Sequence, residues 1–284
     1  MATLKEIMTE AAERLRTGPH PLRARADSEL LLLQLLGRNR AWGIAHESDS
    51  LDKSADREYL LRIERRIAGE PVQYITGEAE FYGLPFFVAP AVLIPRPETE
   101  HLVEKVLELV AAQESPRIVD VGTGSGAIPV ALATHLPKAK ITSIDLSPEA
   151  LSVARRNAQR NHMEEKIRFL EGDLLDPVRE ERFEIVVSNP PYVPLADRAE
   201  MDVEVREHEP ELALFAGEDG LEIYRRLVPE AFAVLEQGGW LAMEIGYGQK
   251  DAIRTLLHET GFEKTEFVND LQGITRVACG CRPY

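Results

Sequence analysis

From residue 96 onward, the sequence alternates short apolar runs rich in β-branched residues with longer amphipathic segments. The apolar runs predict strands, the clearest of them at 117–121, 140–145, 166–171 and 183–188, and the segments between them predict helices. Because parallel strands need a long crossover connection, this alternation is typical of a mostly parallel, doubly wound α/β sheet. Ligands of such sheets bind at the carboxyl ends of the strands, so candidate site residues are expected there.

The first seventy residues lack this alternation and predict a small helical bundle. Apolar residues between Leu4 and Leu15 recur at helical spacing, a second helix is predicted after Asp27, and a third covers 52–68. The following stretch carries aromatic side chains among Gly and Pro, which indicates a β-hairpin linker. We therefore predict an N-terminal bundle over 1–70, a linker over 71–95 and a sheet domain over 96–284.

A glycine-rich turn, 122–126, follows the strand predicted at 117–121. Glycines at alternate positions let the backbone approach a ligand closely, and the helix that follows presents free N–H groups. Asp120 precedes the turn, where an acid would repel a pyrophosphate but would suit the positively charged methionyl end of S-adenosylmethionine. Asp145 ends the next strand, where such folds place a carboxylate on ribose hydroxyls. The cofactor-binding residues predicted here are Asp120, Gly122, Thr123, Gly124, Ser125, Gly126 and Asp145.

The tetrapeptide Asn189-Pro190-Pro191-Tyr192 follows the strand predicted at 183–188. Two prolines fix the backbone and remove two donors, which leaves the carbonyls of Asn189 and Pro190 free to accept hydrogen bonds. An amide at the start and an aromatic ring at the end suit a planar group that carries an NH2. We predict catalytic roles for Asn189, Pro190 and Tyr192 and substrate contacts for all four residues. An ordinary strand-to-loop turn is the alternative for the tetrapeptide alone.

With these motifs, the chain resembles the HemK-type release factor glutamine methyltransferases over nearly its whole length. The resemblance also includes the segments 71–77, 81–84 and 93–100, the last of which contains Arg96-Pro97-Glu98-Thr99-Glu100. It implies a Rossmann-like S-adenosylmethionine-dependent methyltransferase domain and an N-terminal bundle that contacts the release factor. The implied reaction methylates the side-chain amide nitrogen of the Gly-Gly-Gln glutamine in bacterial class 1 release factors, leaves S-adenosylhomocysteine and modulates translation termination.

The resemblance also implies roles for individual residues around the cofactor. Asp173 is expected to receive the adenine amine, with a turn or cap residue as the alternative role. Some relatives carry tryptophan where Leu174 stands, so an apolar contact with adenine is expected here rather than stacking. Asn189 is expected near both the cofactor and the acceptor, and Tyr192 is expected to stack on the amide or the nearby cation.

Composition bears on the partners and the compartment. The net charge of −15 argues against a nucleic-acid substrate, because such proteins usually present a basic face to phosphates. No apolar run approaches the roughly 18 residues of a membrane span, and the start has no signal-peptide pattern, so we expect a cytoplasmic protein, and a monomer. Cys279, Cys281 and the scattered histidines predict no metal site.

Three functions fit these observations. The first is a protein-glutamine methyltransferase; a sister family that methylates a glutamine of a ribosomal protein shares much of the core but usually differs at 96–100. The second is a methyltransferase for exocyclic amines of nucleic acid, which shares Asn-Pro-Pro-Tyr. The third is a non-catalytic S-adenosylmethionine-binding protein, which gives no reason for the intact tetrapeptide.

Overall fold

Five α-helices lie before residue 78 in the computed structural model, which describes residues 2–284 of the chain. They are α1 (Leu4–Leu15), α2 (Ala24–Leu35), α3 (Arg40–Ala45), α4 (Lys53–Ile67) and α5 (Val72–Thr76). Thr3 caps α1 in a capping box with Glu6, and Asp52 caps α4. The three helices predicted for this region are confirmed, whereas the short helices α3 and α5 were not predicted.

The start of α2 differs from the prediction, which placed the helix after Asp27. The helix begins one turn earlier, at Ala24, and Asp27 is buried within it. Its carboxylate accepts a hydrogen bond of 2.7 Å from the buried Arg66 instead of capping the helix. The partner of this acid lies 39 positions away, so no local pattern in the sequence indicates it.

The remaining strands build a small hairpin and one large sheet. The hairpin pairs β1 (Glu78–Phe81) with β2 (Leu84–Phe87), and seven strands form the sheet in the order β5-β4-β3-β6-β7-β9-β8. The sheet strands are β3 (Arg117–Val121), β4 (Lys140–Asp145), β5 (Ile167–Glu171), β6 (Phe183–Ser188), β7 (Leu235–Glu244), β8 (Glu263–Asn269) and β9 (Thr275–Cys281). Only the pairings of β9 are antiparallel, so the predicted mostly parallel sheet is confirmed.

Helices cover both faces of this sheet. They are α6 (Glu100–Leu109), α7 (Ala127–His135), α8 (Pro148–Arg160), α10 (Glu222–Val234) and α11 (Lys250–Thr260). The short helix α9 (Val203–His208) comes between α8 and α10 in the chain but is not part of the sheet domain. Ile118 and Ile185 belong to the hydrophobic core that contains α6 and α7, whereas Val119 and Val186 belong to the core that contains α10 and α11. Successive strand residues point to opposite faces, so a doubly wound sheet needs apolar residues at neighbouring positions.

The chain divides into two compact units. The first comprises the residues up to Glu78 together with Met201–His208, and the second comprises Ala79–Glu200 and Glu209–Tyr284. In the first unit, Leu31, Leu32, Tyr59 and Ile63 form the centre of the core. None of the helices in the described chain combines the length and apolarity that a bilayer crossing requires.

The predicted hairpin linker over 71–95 contains a helix as well as a hairpin. Its first residues form α5, which begins after Pro71 and ends at Gly77, whose φ of 74° is typical of a helix C-terminus. Strands occupy only 78–81 and 84–87 of this segment. The aromatic residues among Gly and Pro indicated the hairpin, but they did not indicate that a short helix precedes it. The domain boundaries at 70 and 95 stay predictions.

A buried asparagine connects the hairpin with the glycine-rich turn. Asn157 on α8 donates hydrogen bonds of 2.8 Å to the carbonyls of Phe87 and Ser125, and its Oδ1 accepts from the amide of Phe87 at 2.7 Å. This side chain is fully buried. These three backbone groups would lose their partner if the amide were removed.

We predict that Asn157→Ala lowers the free energy of unfolding by about 2–4 kcal/mol, because buried backbone groups without partners are costly. Urea denaturation measures this change. The matched control is Asn161→Ala at the residue that directly follows α8, where the side chain is half-buried and bonds only to carbonyls. Equal losses for the two variants would contradict the prediction.

Candidate active site

The carboxyl ends of β3, β4 and β6 border one cleft in the second unit. This is the edge of the sheet where the sequence predicted the site. Ten of the predicted site residues line the cleft: Gly122, Thr123, Gly124, Ser125, Asp145, Asp173, Leu174, Asn189, Pro190 and Pro191. Three predicted residues, Asp120, Gly126 and Tyr192, lie outside this lining. The structure therefore brings the two motifs together at one cleft. It also shows which of the predicted residues line the cleft and which do not.

The glycine-rich turn is open towards the cleft at two positions. Gly122 and Gly124 have φ values of +73° and +54°, and a Cβ added to either would meet no atom within 4 Å. Asp145 holds the turn in place, because its carboxylate accepts hydrogen bonds from the amides of Gly124 at 2.8 Å and Ser147 at 2.9 Å. This arrangement leaves space for a ligand to lie directly against the backbone.

Gly126 has a different function in the turn. It has φ +80°, and a Cβ there would lie only 3.1 Å from the Cα of Ala154 on α8. The residue caps the N-terminus of α7, so a side chain would push α7 and α8 apart. Gly126 therefore shapes the turn through helix packing and not through the lining of the cleft.

Asp120 is a fully buried carboxylate at the end of β3. Its Oδ2 accepts a hydrogen bond of 3.4 Å from Ser143, whereas Oδ1 has no hydrogen-bond partner among the described residues. Burial, with a smaller contribution from the nearby Asp145, raises the pKa of Asp120 to about 7. An acid with one unsatisfied buried oxygen favours a positively charged partner, because the negative charge is otherwise uncompensated.

The loop after β5 presents Asp173 and Leu174 to the cleft. The Asp173 carboxylate accepts a hydrogen bond of 2.6 Å from Arg226, and that ion pair is about half exposed. Leu174 has φ +47°, a backbone conformation that L residues with side chains rarely adopt. This conformation costs about 1–2 kcal/mol, which packing elsewhere must offset, so it is rare in general. Residues of this kind concentrate at ligand sites.

The Asn-Pro-Pro-Tyr segment begins where β6 ends, beside the end of β3. Ser188 donates a 2.7 Å hydrogen bond to the carbonyl of Val121, which holds the two strand ends together. The Nδ2 of Asn189 donates to the Oγ1 of Thr99 at 3.1 Å. Its Oδ1 accepts no hydrogen bond from the described residues, so this oxygen can serve a ligand in the cleft.

Tyr192 is not part of the cleft lining and packs, half-buried, against the core that contains α10 and α11. Burial raises its pKa, and the adjacent Glu244, which receives a 3.2 Å hydrogen bond from the Tyr192 hydroxyl, raises it further. The carbonyl of Tyr192 accepts a 2.9 Å hydrogen bond from Gln249. These contacts anchor the end of the tetrapeptide, whereas the predicted stacking of the Tyr192 ring on a ligand stays a prediction.

Sequence reasoning did not single out two residues of this site, Thr99 and Glu244. Both are buried, and the Thr99 hydroxyl donates a 2.6 Å hydrogen bond to the Glu244 carboxylate. Glu244 ends β7 just as Asp145 ends β4, so its position at the end of an apolar strand was an available signal. Thr99 belongs to the 96–100 motif, in which Arg96 pairs with the buried Glu209 and Glu100 accepts from the amide of Tyr82.

Comparison with known proteins identifies the family. A curated relative from Koribacter versatilis (strain Ellin345), named "Release factor glutamine methyltransferase", is 43% identical over 99% of both chains. A relative of the same name from Burkholderia pseudomallei (strain K96243) is 43% identical over the full length of both. The chain belongs to the release factor glutamine methyltransferase family. The family models "PrmC N-terminal domain" and "Methyltransferase small domain" match residues 6–77 and 99–205.

A solved structure supports the fold assignment. A methyltransferase from Pyrococcus furiosus superposes with a TM-score of 0.54, covering 82% of this chain and 100% of its own, at 19% identity. Similarity at this level of identity establishes the fold alone. Membership of the family, together with the sheet order, makes the second unit a Rossmann-like S-adenosylmethionine-dependent methyltransferase domain.

The buried carboxylate of Asp120 predicts a pH dependence of stability. Its pKa is raised from 3.8 to about 7 in the folded chain, so between these values the folded state holds a proton that the unfolded state has lost. Stability contributed by this group is therefore present at low pH and is lost as the pH rises towards about 7. Asp120→Asn keeps the shape but cannot ionise. We expect the free energy of unfolding of Asp120→Asn, relative to that of the parent, to increase by on the order of 2 kcal/mol from about pH 5 to about pH 8.

Urea denaturation at the two pH values measures this difference. Asp251→Asn is the control, because the Asp251 side chain is 88% exposed and its removal should leave the pH dependence unchanged. If the free energies of unfolding of Asp120→Asn and the parent changed equally with pH, the prediction would be wrong, because the carboxylate would then ionise in the folded protein without loss of stability.

Proposed function

We propose that this protein transfers the methyl group of S-adenosylmethionine to the side-chain amide nitrogen of the glutamine in the Gly-Gly-Gln motif of bacterial class 1 release factors, and so modulates translation termination. The relatives at 43% identity are named for methylation of a release factor glutamine. The observation that carries the proposal is Asn189, whose Nδ2 is held by Thr99 while its Oδ1 remains available in the cleft. An amide NH2 is a group that this oxygen can recognise.

The cleft fits the cofactor. Gly122 and Gly124 leave the backbone open to close approach, and the unpaired oxygen of Asp120 behind the turn favours a positively charged group. Asp145 retains lone pairs for ribose hydroxyls, and Asp173 and Leu174 are proposed to contact adenine. Gly126 shapes this site indirectly through the packing of α7 against α8. When bound, S-adenosylmethionine supplies an electrophilic methyl group on its sulfonium.

The residues of the tetrapeptide are proposed to activate the acceptor. An amide nitrogen is a poor nucleophile, because its lone pair is delocalised into the carbonyl. Asn189 Oδ1 and the Pro190 carbonyl, which has no hydrogen bond within the described backbone, can accept the two amide hydrogens. They favour the more pyramidal nitrogen of the transition state over the planar ground state, which raises the rate. The prolines keep both acceptors in place, and the proton leaves after transfer without a general base.

Charge supports a protein acceptor over a nucleic acid. The tetrapeptide by itself suits exocyclic base amines equally well, but the net charge of −15 opposes the approach of a phosphate backbone. We therefore propose that the protein has no direct nucleic-acid substrate. The N-terminal bundle is proposed to contact the release factor, and a cytoplasmic, monomeric enzyme stays a prediction.

The test is methyl transfer from radiolabelled S-adenosylmethionine to a purified bacterial release factor. Label on this factor, and none on a copy whose Gly-Gly-Gln glutamine is alanine, supports the proposal. Label on a DNA or RNA control alone would replace the proposal with the nucleic-acid alternative. Absence of label on every acceptor, with the cofactor bound, would leave a non-catalytic binding protein.

In the same assay, we predict that Asn189→Ala lowers the rate of transfer by about 100-fold or more, because one acceptor for the amide is lost. Cofactor affinity, measured by calorimetry, should change by less than about threefold, since the glycine-rich turn is untouched. Asn161→Ala, at a half-buried residue outside the cleft lining, is the control and should keep full activity. Full turnover by Asn189→Ala would contradict the amide-recognition mechanism.

A further inference from the structure

A directed pair of hydrogen bonds connects Asn189 to a buried carboxylate. The Asn189 Nδ2 lies 3.1 Å from the Oγ1 of Thr99, and that oxygen lies 2.6 Å from the Oε2 of Glu244. The Thr99 hydroxyl is the donor towards Glu244, and a hydroxyl has only one proton to give. Thr99 therefore donates its proton to Glu244 and can act only as an acceptor towards Asn189.

Burial strengthens this arrangement. Thr99 is 4% exposed and Glu244 is 2% exposed, so water competes little for either group. The two hydroxyls of Thr99 and Tyr192 each donate to Glu244, at 2.6 Å and 3.2 Å. One carboxylate thus accepts hydrogen bonds from Tyr192, at the end of the tetrapeptide, and from Thr99, which in turn accepts from Asn189 at its start.

The direction of these bonds determines which atom Asn189 offers to the cleft. With Nδ2 on Thr99, Oδ1 is free for an acceptor's NH2. If the amide turned over, Oδ1 would face the lone pairs of Thr99, and Nδ2 would face the hydrogens of the substrate amide. Both contacts would then be repulsive, so the flipped orientation cannot bind the substrate amide in the proposed way.

We propose that Thr99, anchored on Glu244, is a positioning residue that holds the Asn189 amide in its productive orientation. This assigns a function to the hydroxyl at the fourth position of the 96–100 motif, and it rests on the proposed amide acceptor. Thr99 does not touch the reacting atoms. Its contribution is to prevent a misoriented Asn189 before the substrate arrives, which is a form of pre-organisation.

The test compares Thr99→Val with Thr99→Ser. Valine keeps the volume but can neither accept from Asn189 nor donate to Glu244, whereas serine keeps both bonds. We expect Thr99→Val to lower kcat by about 10- to 100-fold, with cofactor affinity and KM for the release factor within about threefold of the parent. Thr99→Ser should restore kcat to within about threefold. Urea denaturation verifies that both variants are folded.

A double-mutant cycle separates positioning from a general structural effect. If Thr99 acts through Asn189, then Thr99→Val should lower kcat little further in the Asn189→Ala background. An equal loss of kcat in both backgrounds would overturn the proposal, as would full activity of Thr99→Val or failure of Thr99→Ser to restore the rate.

A second measurement does not depend on the acceptor. In 15N–1H spectra, the side-chain NH2 of Asn189 can be assigned by its absence in Asn189→Ala. Its hydrogen exchange should be slow in the parent and in Thr99→Ser, and faster by about tenfold or more in Thr99→Val. Exchange unaffected by Thr99→Val would refute the hydrogen bond itself. If the parent methylated no release factor, the proposed function would fail, while this exchange experiment would still decide whether Thr99 holds Asn189.

Discussion

The active site depends on the parallel pairing of β3 with β6. In this register Val121 lies opposite Ser188, and the Ser188 hydroxyl also bonds to the carbonyl of Val121 at 2.7 Å. The glycine-rich turn and the Asn-Pro-Pro-Tyr segment, which are far apart in the chain, therefore start side by side. A shift by one residue would exchange the two faces of β6 and would turn its buried side chains towards the wrong core. Core packing on both faces thus fixes the distance between the proposed cofactor and acceptor sites.

Two buried acids near the cleft have different surroundings. Asp120 has one oxygen without a hydrogen-bond partner, and burial raises its pKa to about 7, which is an expensive state in a folded protein. Glu244 is equally buried, but Thr99 and Tyr192 donate to its carboxylate. The first acid favours a cationic ligand, and the second organises neighbouring side chains. Their surroundings, and not their residue type, separate these functions.

The first unit contains its own polar anchor. Arg66 is buried and bonds to Asp27 and to the carbonyl of Glu70, and it also forms an ion pair with Glu204. Through Glu204, the segment Met201–His208 joins the helices of the first unit, although the chain on either side of it belongs to the second. The chain therefore crosses between the units twice more after the Asn-Pro-Pro-Tyr segment. Removing one member of a buried ionic group costs stability, because the remaining charge is left without a partner. The ion pair with Glu204 therefore favours packing of Met201–His208 against the first unit.

The sequence by itself determined the elements and the chemistry of the two motifs. The runs at 117–121, 140–145 and 183–188 became strands with those bounds, because buried parallel strands need continuous apolar residues and the adjoining glycines and prolines end them. Tertiary structure alone decided the partners of polar side chains. Thr99 meets Glu244 across 145 positions, and Arg66 meets Asp27 across 39. Local patterns report which residues become strand or helix, but hydrogen bonds between distant side chains exist only once the packed core has fixed where each strand ends.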